Sequence, residues 1–326
     1  MYYLGVDLGG TNIAAGLVDE NYKLVHKCSI PTQVEKGVDS IINNIALAIK
    51  KVVDGYNITM DDVISIGIGS PGAVNPDTGV VDFAANLGFK HTPLAQMVSK
   101  LIPGKDIFIE NDANVAALAE VRAGAAKGVK DSITITLGTG VGGGMIINGK
   151  IYSGFNHAGA EFGHIVLEEG GRRCSCGSNS WSCVCGRNGC WEAYASVTGL
   201  IKTTKEEMLK DSTSMMWDMV SHNLDNVTGL TAFDAMRAGD KLGTYVVYKY
   251  IRYVASGLVS VMNVLQPEVL CIGGGVSKEG DTLIKPIREV MKNELFARFS
   301  DIQTQIRIAA LGNDAGIIGA ALLNVD

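Results

Sequence analysis

Between Ala158 and Glu192 the chain reads AGAEFGHIVLEEGGRRCSCGSNSWSCVCGRNGCWE. This stretch carries five of the seven cysteines and one of the five histidines, bracketed by Glu161 and Glu192. Thiols and imidazole gathered this densely suit a borderline-soft ion such as Zn²⁺, which takes four such ligands tetrahedrally in a closed, structural site. The best set is His164 with Cys183, Cys185 and Cys190. Cys174 and Cys176 form a second CxCG pair upstream and stand as alternative ligands. A disulfide knot or a run of buried thiols is the competing reading, and a chain of cytosolic character favours metal over both. Such a clip would fix Glu161 and Glu192 in space, which makes it the scaffold of a neighbouring site.

Two glycine clusters point to phosphate. Asp7-Leu8-Gly9-Gly10-Thr11-Asn12 lies between the apolar runs Tyr2 to Asp7 and Ile13 to Val18, which reads as a β-hairpin with a glycine turn. Bare backbone N–H groups at Gly9 and Gly10 suit a phosphate, and Asp7, ending the first strand, suits Mg²⁺ directly or through water. A hairpin turn needs glycine for its own sake, so this motif alone is moderately specific. Leu137-Gly138-Thr139-Gly140-Val141-Gly142-Gly143-Gly144 repeats the design after the strand Ser132 to Thr136. Two copies of one hairpin suggest two related halves facing one nucleotide. Gly138, Gly140 and Gly143 also match a GxGxxG pattern, but that fingerprint requires a helix to open at the glycines, and here a strand and an Asn148-Gly149 turn follow. A third cluster, Gly273-Gly274-Gly275, joins the strand Glu268 to Ile272 to a helix starting near Val276 and suits a base or ribose.

The remaining elements must position these groups. Leu24 to Ile30 and Val63 to Gly69 read as strands, and Val38 to Val53 as an amphipathic helix. Asn75 to Lys90, with Asn86 inside it, reads as loop or short hairpin; Pro93 opens a short helix. Ile107 to Glu110 is a strand that delivers Asn111-Asp112 to the helix Ala113 to Ala126. Asp112 has two readings here: an N-cap, or a catalytic carboxylate beyond the carboxyl end of a strand, where α/β sheets bind ligands. Trp191 to Leu209 reads as one helix, Lys210 to Thr228 has no clear pattern, and Thr231 caps a short helix. A long helix from Leu242 to Leu265 ends before Pro267; Gln305 to Ala310 is the last strand, and Asp314 caps a final helix, Ala315 to Leu323.

Composition sets the outer bounds. At 326 residues and 47% hydrophobic, the chain is long enough for two cored domains. Forty glycines against seven prolines, clustered beside apolar runs, belong to tight turns rather than linkers. A net charge of −6 without a basic block argues against nucleic acid. No apolar run reaches membrane-spanning length, which argues against a membrane partner, and the N-terminus has no signal-peptide pattern, so the expected location is cytoplasmic.

In this order the motifs resemble the superfamily of sugar kinases, actin and heat-shock ATPases. DLGGT at Asp7 to Thr11 and LGTGVGGG at Leu137 to Gly144 are similar to its two phosphate motifs, and IGGG at Ile272 to Gly275 to its adenosine motif. END at Glu110 to Asp112, HAGAEFGH at His157 to His164 and CVCGRNGCWE at Cys183 to Glu192 resemble the ROK family (repressors, open reading frames, kinases), and its glucose-phosphorylating branch most. The resemblance covers nearly the whole chain. It implies an α/β, two-domain actin-like or hexokinase-like ATPase fold, a duplicated ribonuclease H-like motif with an interdomain cleft. The implied division is 1–116 with 312–326, and 117–311. The implied reaction is ATP-dependent phosphorylation of the glucose 6-hydroxyl.

By resemblance, Asp112 is the catalytic base, and Asn86, Asn111, Asp112, Glu161, His164 and Glu192 bind the sugar. His164 serves both sugar and Zn²⁺, one ring nitrogen for each. Asp7, Gly9, Gly10, Thr11, Asn12, Gly138, Thr139, Gly140, Gly142, Gly273, Gly274 and Gly275 would hold ATP with Mg²⁺. The helix N-terminus is expected to keep Asp112 ionised. A homodimer or homotetramer is also implied. The family usually has one CxCGxxGC unit about ten residues after the histidine; here Ser175 to Cys183 look like an insertion duplicating its CxC half. Other hexoses or hexosamines are the alternative substrates. A sugar-sensing repressor is the rival class, and it would carry a DNA-binding module ahead of the first phosphate motif. A non-catalytic zinc module would lack Asp112 or an intact hairpin.

Overall fold

The computed structural model describes residues 1–174 and 185–325. Two five-stranded sheets organise them, and each begins at one of the glycine hairpins. In the first, β1 (Tyr2–Leu8), β2 (Asn12–Val18) and β3 (Leu24–Pro31) run antiparallel, and β4 (Val63–Ser70) and β8 (Ile107–Asn111) extend it in parallel in the order β3-β2-β1-β4-β8. Between β4 and β8 lie β5 (Ala73–Asn75), β6 (Val80–Ala84) and β7 (Phe89–Thr92), a small antiparallel sheet where the sequence suggested loop or hairpin. Val81, Ala84 and Phe89 bury their side chains in the core of this half, which explains its strand character.

The second sheet repeats the first. Strands β9 (Ser132–Leu137), β10 (Val141–Ile147) and β11 (Lys150–Ile151) are antiparallel, and β12 (Val269–Gly273) and β13 (Gln305–Ile308) pair in parallel, giving β11-β10-β9-β12-β13. Both sheets thus place a glycine turn between their first two strands and add parallel strands on the far side of the first.

Helices cover the sheets. α1 (Val38–Gly55) buries Ile41, Ile45, Ile49 and Val52 at helical spacing against the first sheet; α2 (Leu94–Leu101) packs beside it. α3 (Asp112–Arg122) leaves β8 but packs mainly on β10 and β9, while α10 (Ala315–Ala321) packs on β1 and β4. These two helices cross each other between the sheets. The second sheet is also covered by α4 (Glu192–Ala195), α5 (Val197–Met208), α6 (Met216–Met219), α7 (Thr231–Arg237), α8 (Lys241–Leu265) and α9 (Asp281–Glu294).

Capping accounts for the differences from the sequence expectations. The single helix expected from Trp191 to Leu209 breaks at Ser196, whose Oγ accepts from Gly199 N at 3.0 Å and starts α5. Thr231 is the first residue of α7 rather than its cap, with Oγ1 accepting from Thr228 N at 2.9 Å. Asp314 precedes α10 without capping it and instead takes Lys27 Nζ at 2.6 Å. Among the described residues no helix is long and apolar enough to cross a membrane.

Candidate active site

Two aspartates lie on either side of the end of β4. Asp7 of β1 pairs with Gly69 of β4, and a Cβ built on Gly69 would lie 3.8 Å from the Cα of Asp112, which follows β8. The Asp7 carboxyl also lies against α10: a Cβ on Gly316 would come within 2.6 Å of its Cγ, so only glycine fits there. Burial, reinforced by the negative charge of Asp112, raises the Asp7 carboxyl from 3.8 to about 6.

Asn111, not Asp112, caps α3. Its Oδ1 accepts from Ala113 N at 2.9 Å and Asn114 N at 3.3 Å, while its Nδ2 donates to Gly72 O at 3.0 Å. Asp112 is therefore the first helical residue, accessible to solvent, with a bond of 2.9 Å from Ala113 N to its own Oδ1. Protein crowds it closely enough that burial raises its carboxyl, outweighing the backbone bonds that lower it. The helix terminus expected to hold the carboxyl down is thus the smaller influence.

On the other side of Asp112 stands the cysteine–histidine corner, a candidate metal site. Burial raises Glu161; His164 partly offsets this, and the charges of Glu192 and Asp112 add to it, so the three carboxylates share one electrostatic neighbourhood. His164 Nε2 lies 3.8 Å from Glu161 Oε2, and its Nδ1 lies 3.9 Å from Cys174 Sγ. One ring nitrogen thus faces the carboxylate and the other the thiols. Ligand atoms of His164, Cys174, Cys185 and Cys190 all lie within 4.8 Å of one another, with Cys185 and Cys190 sulfurs 3.7 Å apart. Tetrahedral Zn–S bonds of about 2.3 Å would put two sulfurs about 3.8 Å apart, so the donor set and spacing fit zinc. Cys174, an alternative ligand by sequence, is in this cluster; Cys183 and Cys176 lie outside the described residues.

Glu192 joins this corner to the second hairpin. It is buried at the start of α4, accepts from Val141 N at 2.9 Å through Oε2, and takes the Cys174 thiol at 3.6 Å through Oε1. A side chain on Gly140 would strike that carboxylate. The turn itself is closed by Gly138 N to Gly140 O at 3.0 Å and held by α5 through Val197 N to Gly138 O at 2.8 Å and Thr198 Oγ1 to Thr139 O at 2.8 Å. In the first hairpin Gly9 N donates to Asn12 O at 3.0 Å, and Thr32 Oγ1 donates to Gly9 O at 2.6 Å. The tips at Gly10, Thr11, Asn12 and Thr139 are exposed.

Two cavities flank these groups. One, of about 280 Å³, is lined by Asn86, Asn111, Glu161 and His164, together with His157 and Asn114. The other, of about 400 Å³, is lined by Gly273, Gly274 and Gly275, Thr136, Glu120 and Lys278. Sequence reasoning missed Glu120, His157 and Asn114. Buried Glu120 takes Ala125 N at 2.6 Å, Ala310 N at 3.0 Å and Leu311 N at 3.0 Å, tying α3 to the segment after β13. A lone acid in an alanine-rich helix was the available signal. Asn114 Nδ2 donates to buried Glu110 at 3.1 Å, and its Oδ1 is buried with no partner among the described residues.

Duplicated ribonuclease H-like sheets, a glycine hairpin in each and a group of neighbouring carboxylates beside a cavity define the class: sugar kinases of the actin-like, hexokinase-like ATPase fold. Within that class the chain belongs to the ROK family, whose model matches residues 3–326. It is 39% identical over 326 residues to a glucokinase of Halalkalibacterium halodurans, covering 99% of this chain and 94% of that protein. Among solved structures it is similar to a ROK family glucokinase from Streptomyces griseus in complex with glucose and AMPPNP (34% identity, 99% of each chain, TM-score 0.79). It is also similar to a ROK hexokinase from Thermus thermophilus (31% identity, 99% and 97% coverage, TM-score 0.78).

Proposed function

We propose that this chain is a glucokinase: it transfers the γ-phosphoryl group of ATP to the 6-hydroxyl of glucose, giving glucose 6-phosphate and ADP. The observation that carries the reading is Asp112, released from capping by Asn111 and set beside both the Asp7 hairpin and the Glu161 corner. Family membership and the glucokinase relatives support the same assignment.

Phosphoryl transfer to an alcohol passes through a loose transition state, so placement and charge neutralisation do most of the work. Glucose occupies the cavity lined by Asn86, Asn111, Glu161 and His164, its hydroxyls donating to Glu161 and to the neighbouring Glu192. Backbone N–H groups at the hairpin tips, Gly10, Thr11, Thr139 and Gly140, hold the β- and γ-phosphates, in turns that Gly9, Asn12, Gly138 and Gly142 shape. Gly273, Gly274 and Gly275 receive the adenosine. Asp112 accepts the proton of the attacking hydroxyl as the O–P bond forms. Mg²⁺, held near Asp7, neutralises phosphate charge when bound. His164, Cys174, Cys185 and Cys190 would hold Zn²⁺, with Cys183 as the alternative thiol, and such a clip would fix Glu161 and Glu192. The reading includes two lobes, 1–116 with 312–326 and 117–311, closing on the substrates, in a cytoplasmic homodimer or homotetramer.

The test is a coupled assay over glucose, mannose, fructose, allose, N-acetylglucosamine and N-acetylmannosamine, each with ATP and then other phosphoryl donors. Glucose with ATP should give the highest kcat/KM. A hexosamine preferred over glucose would overturn the substrate assignment, and no turnover with any sugar would overturn the kinase.

A further inference from the structure

One contact bridges the two halves of the chain at the rim of the sugar-side cavity, and it uses none of the groups assigned above. Asp77 lies in the β5–β6 turn of the first half, where Asn75 Oδ1 accepts from Asp77 N at 3.1 Å and Thr78 N at 3.2 Å. His157 lies in the loop following β11 in the second half. Its Nε2 stands 3.3 Å from Asp77 Oδ2, and its Nδ1 stands 3.3 Å from Ser153 Oγ. On a third side, buried Glu110 at the end of β8 feels both charges: His157 lowers its carboxyl and Asp77 raises it, after the larger effect of burial. Glu110 in turn accepts from Asn111 N at 2.7 Å and Asn114 Nδ2 at 3.1 Å, so it sits at the root of the helix that begins at Asp112.

The loop that carries His157 is built to aim it. His157 has φ of 59° and Ala160 of 64°, a left-handed conformation unfavourable to residues with a Cβ. The loop holds it by closing on itself, Gly159 N to Ser153 O at 2.7 Å and His157 N to Gly154 O at 3.3 Å. The imidazole is 19% exposed while the Asp77 carboxylate is 80% exposed, so the pair is half in solvent.

We propose that His157 is a positioning residue that clasps the two halves around the sugar, drawn to Asp77 on the small sheet and Glu110 at the head of α3. The proposal rests on the kinase reading. It does not touch the reacting atoms; it biases the chain toward the closed arrangement and so acts on sugar affinity. The charged groups facing the ring are Asp77 from the β5–β6 turn and Glu110 from β8; Ser153 of its own loop is neutral. A protonated ring adds charge attraction to this contact, and a neutral ring donating from Nε2 still bonds the Asp77 carboxylate.

The experiment compares wild type, Asp77→Asn, His157→Gln and the double variant. Asp77→Asn should raise the glucose KM about two- to fivefold, the size expected of a half-exposed ion pair, with kcat within about twofold of wild type. His157→Gln should raise the KM by a similar factor, and the double variant should match the single variants instead of multiplying their effects. An unchanged KM in Asp77→Asn, or KM increases that multiply in the double variant, would overturn the clasp. Small-angle X-ray scattering without sugar separates this from the kinase assignment. Wild type should be more compact than Asp77→Asn and His157→Gln. An equal radius of gyration in all three would overturn the clasp even if glucose turns over as proposed.

Discussion

Replacing Asp7 by asparagine should make the nucleotide-free protein more stable while removing its activity. The Asp7 carboxyl is held between the first glycine turn, the start of α10 and the charge of Asp112, and it titrates near 6 instead of 3.8. At about 1.4 kcal/mol per unit that displacement corresponds to about 3 kcal/mol, and solvent screening of a partly accessible group reduces it to about 1–2 kcal/mol. The folded pKa is raised, so the folded state holds its proton longer than the unfolded chain does. The penalty is absent below about pH 3.8, grows through the interval, and is complete above about pH 6. Asp7→Asn should therefore unfold a few degrees higher near pH 7.5 without nucleotide, with the advantage shrinking toward pH 4. Thermal unfolding read by calorimetry or circular dichroism at several pH values provides the test. Mg²⁺-ATP should raise the melting temperature of wild type and not of the variant. An Asp7→Asn protein less stable than wild type at pH 7.5, or a gain independent of pH, would refute the electrostatic argument.

Three further outcomes follow from the geometry. Purified protein should contain about one zinc per chain, and chelation should raise the glucose KM far more than the ATP KM; a metal-free protein with unchanged glucose KM would contradict the clip's role. Glu120→Gln, which leaves one oxygen where two accept three backbone N–H groups, should cost about 2–3 kcal/mol and raise the ATP KM while sparing glucose; calorimetric binding of each substrate checks this. Asp240→Ala removes the α8 cap, whose Oδ1 accepts from Gly243 N at 2.6 Å, and should lower stability by about 1–2 kcal/mol in denaturant titration without changing either KM.

Local chemistry made much of this legible in the chain. The hairpins at Gly9 and Gly138 announce themselves because glycines interrupt apolar runs, and their strands fall where the apolar pattern puts them. The cysteine cluster marked the candidate metal corner, where His164, Cys174, Cys185 and Cys190 do come together, because few other arrangements gather thiols and imidazole. Position within a junction was harder. Asn111 and Asp112 are both good caps, and only the backbone decides that Asn111 caps the helix and Asp112 becomes its first residue. Ser196 breaks a pattern that reads as one continuous helix because a serine inside a helix and a serine capping one look alike. The contacts that bring Gly316 to Asp7, and Asp77 to His157, join residues distant in sequence and leave no local trace.

The account turns on Asp112, and the most direct measurement compares Asp112→Asn with wild type for glucose binding by calorimetry and for glucose 6-phosphate formation by phosphorus NMR. The variant should bind glucose with a Kd within about threefold of wild type, yet its kcat should fall by about a thousandfold or more. Turnover near the wild-type rate with glucose binding intact would remove the carboxylate from the reaction and contradict the mechanism built around it.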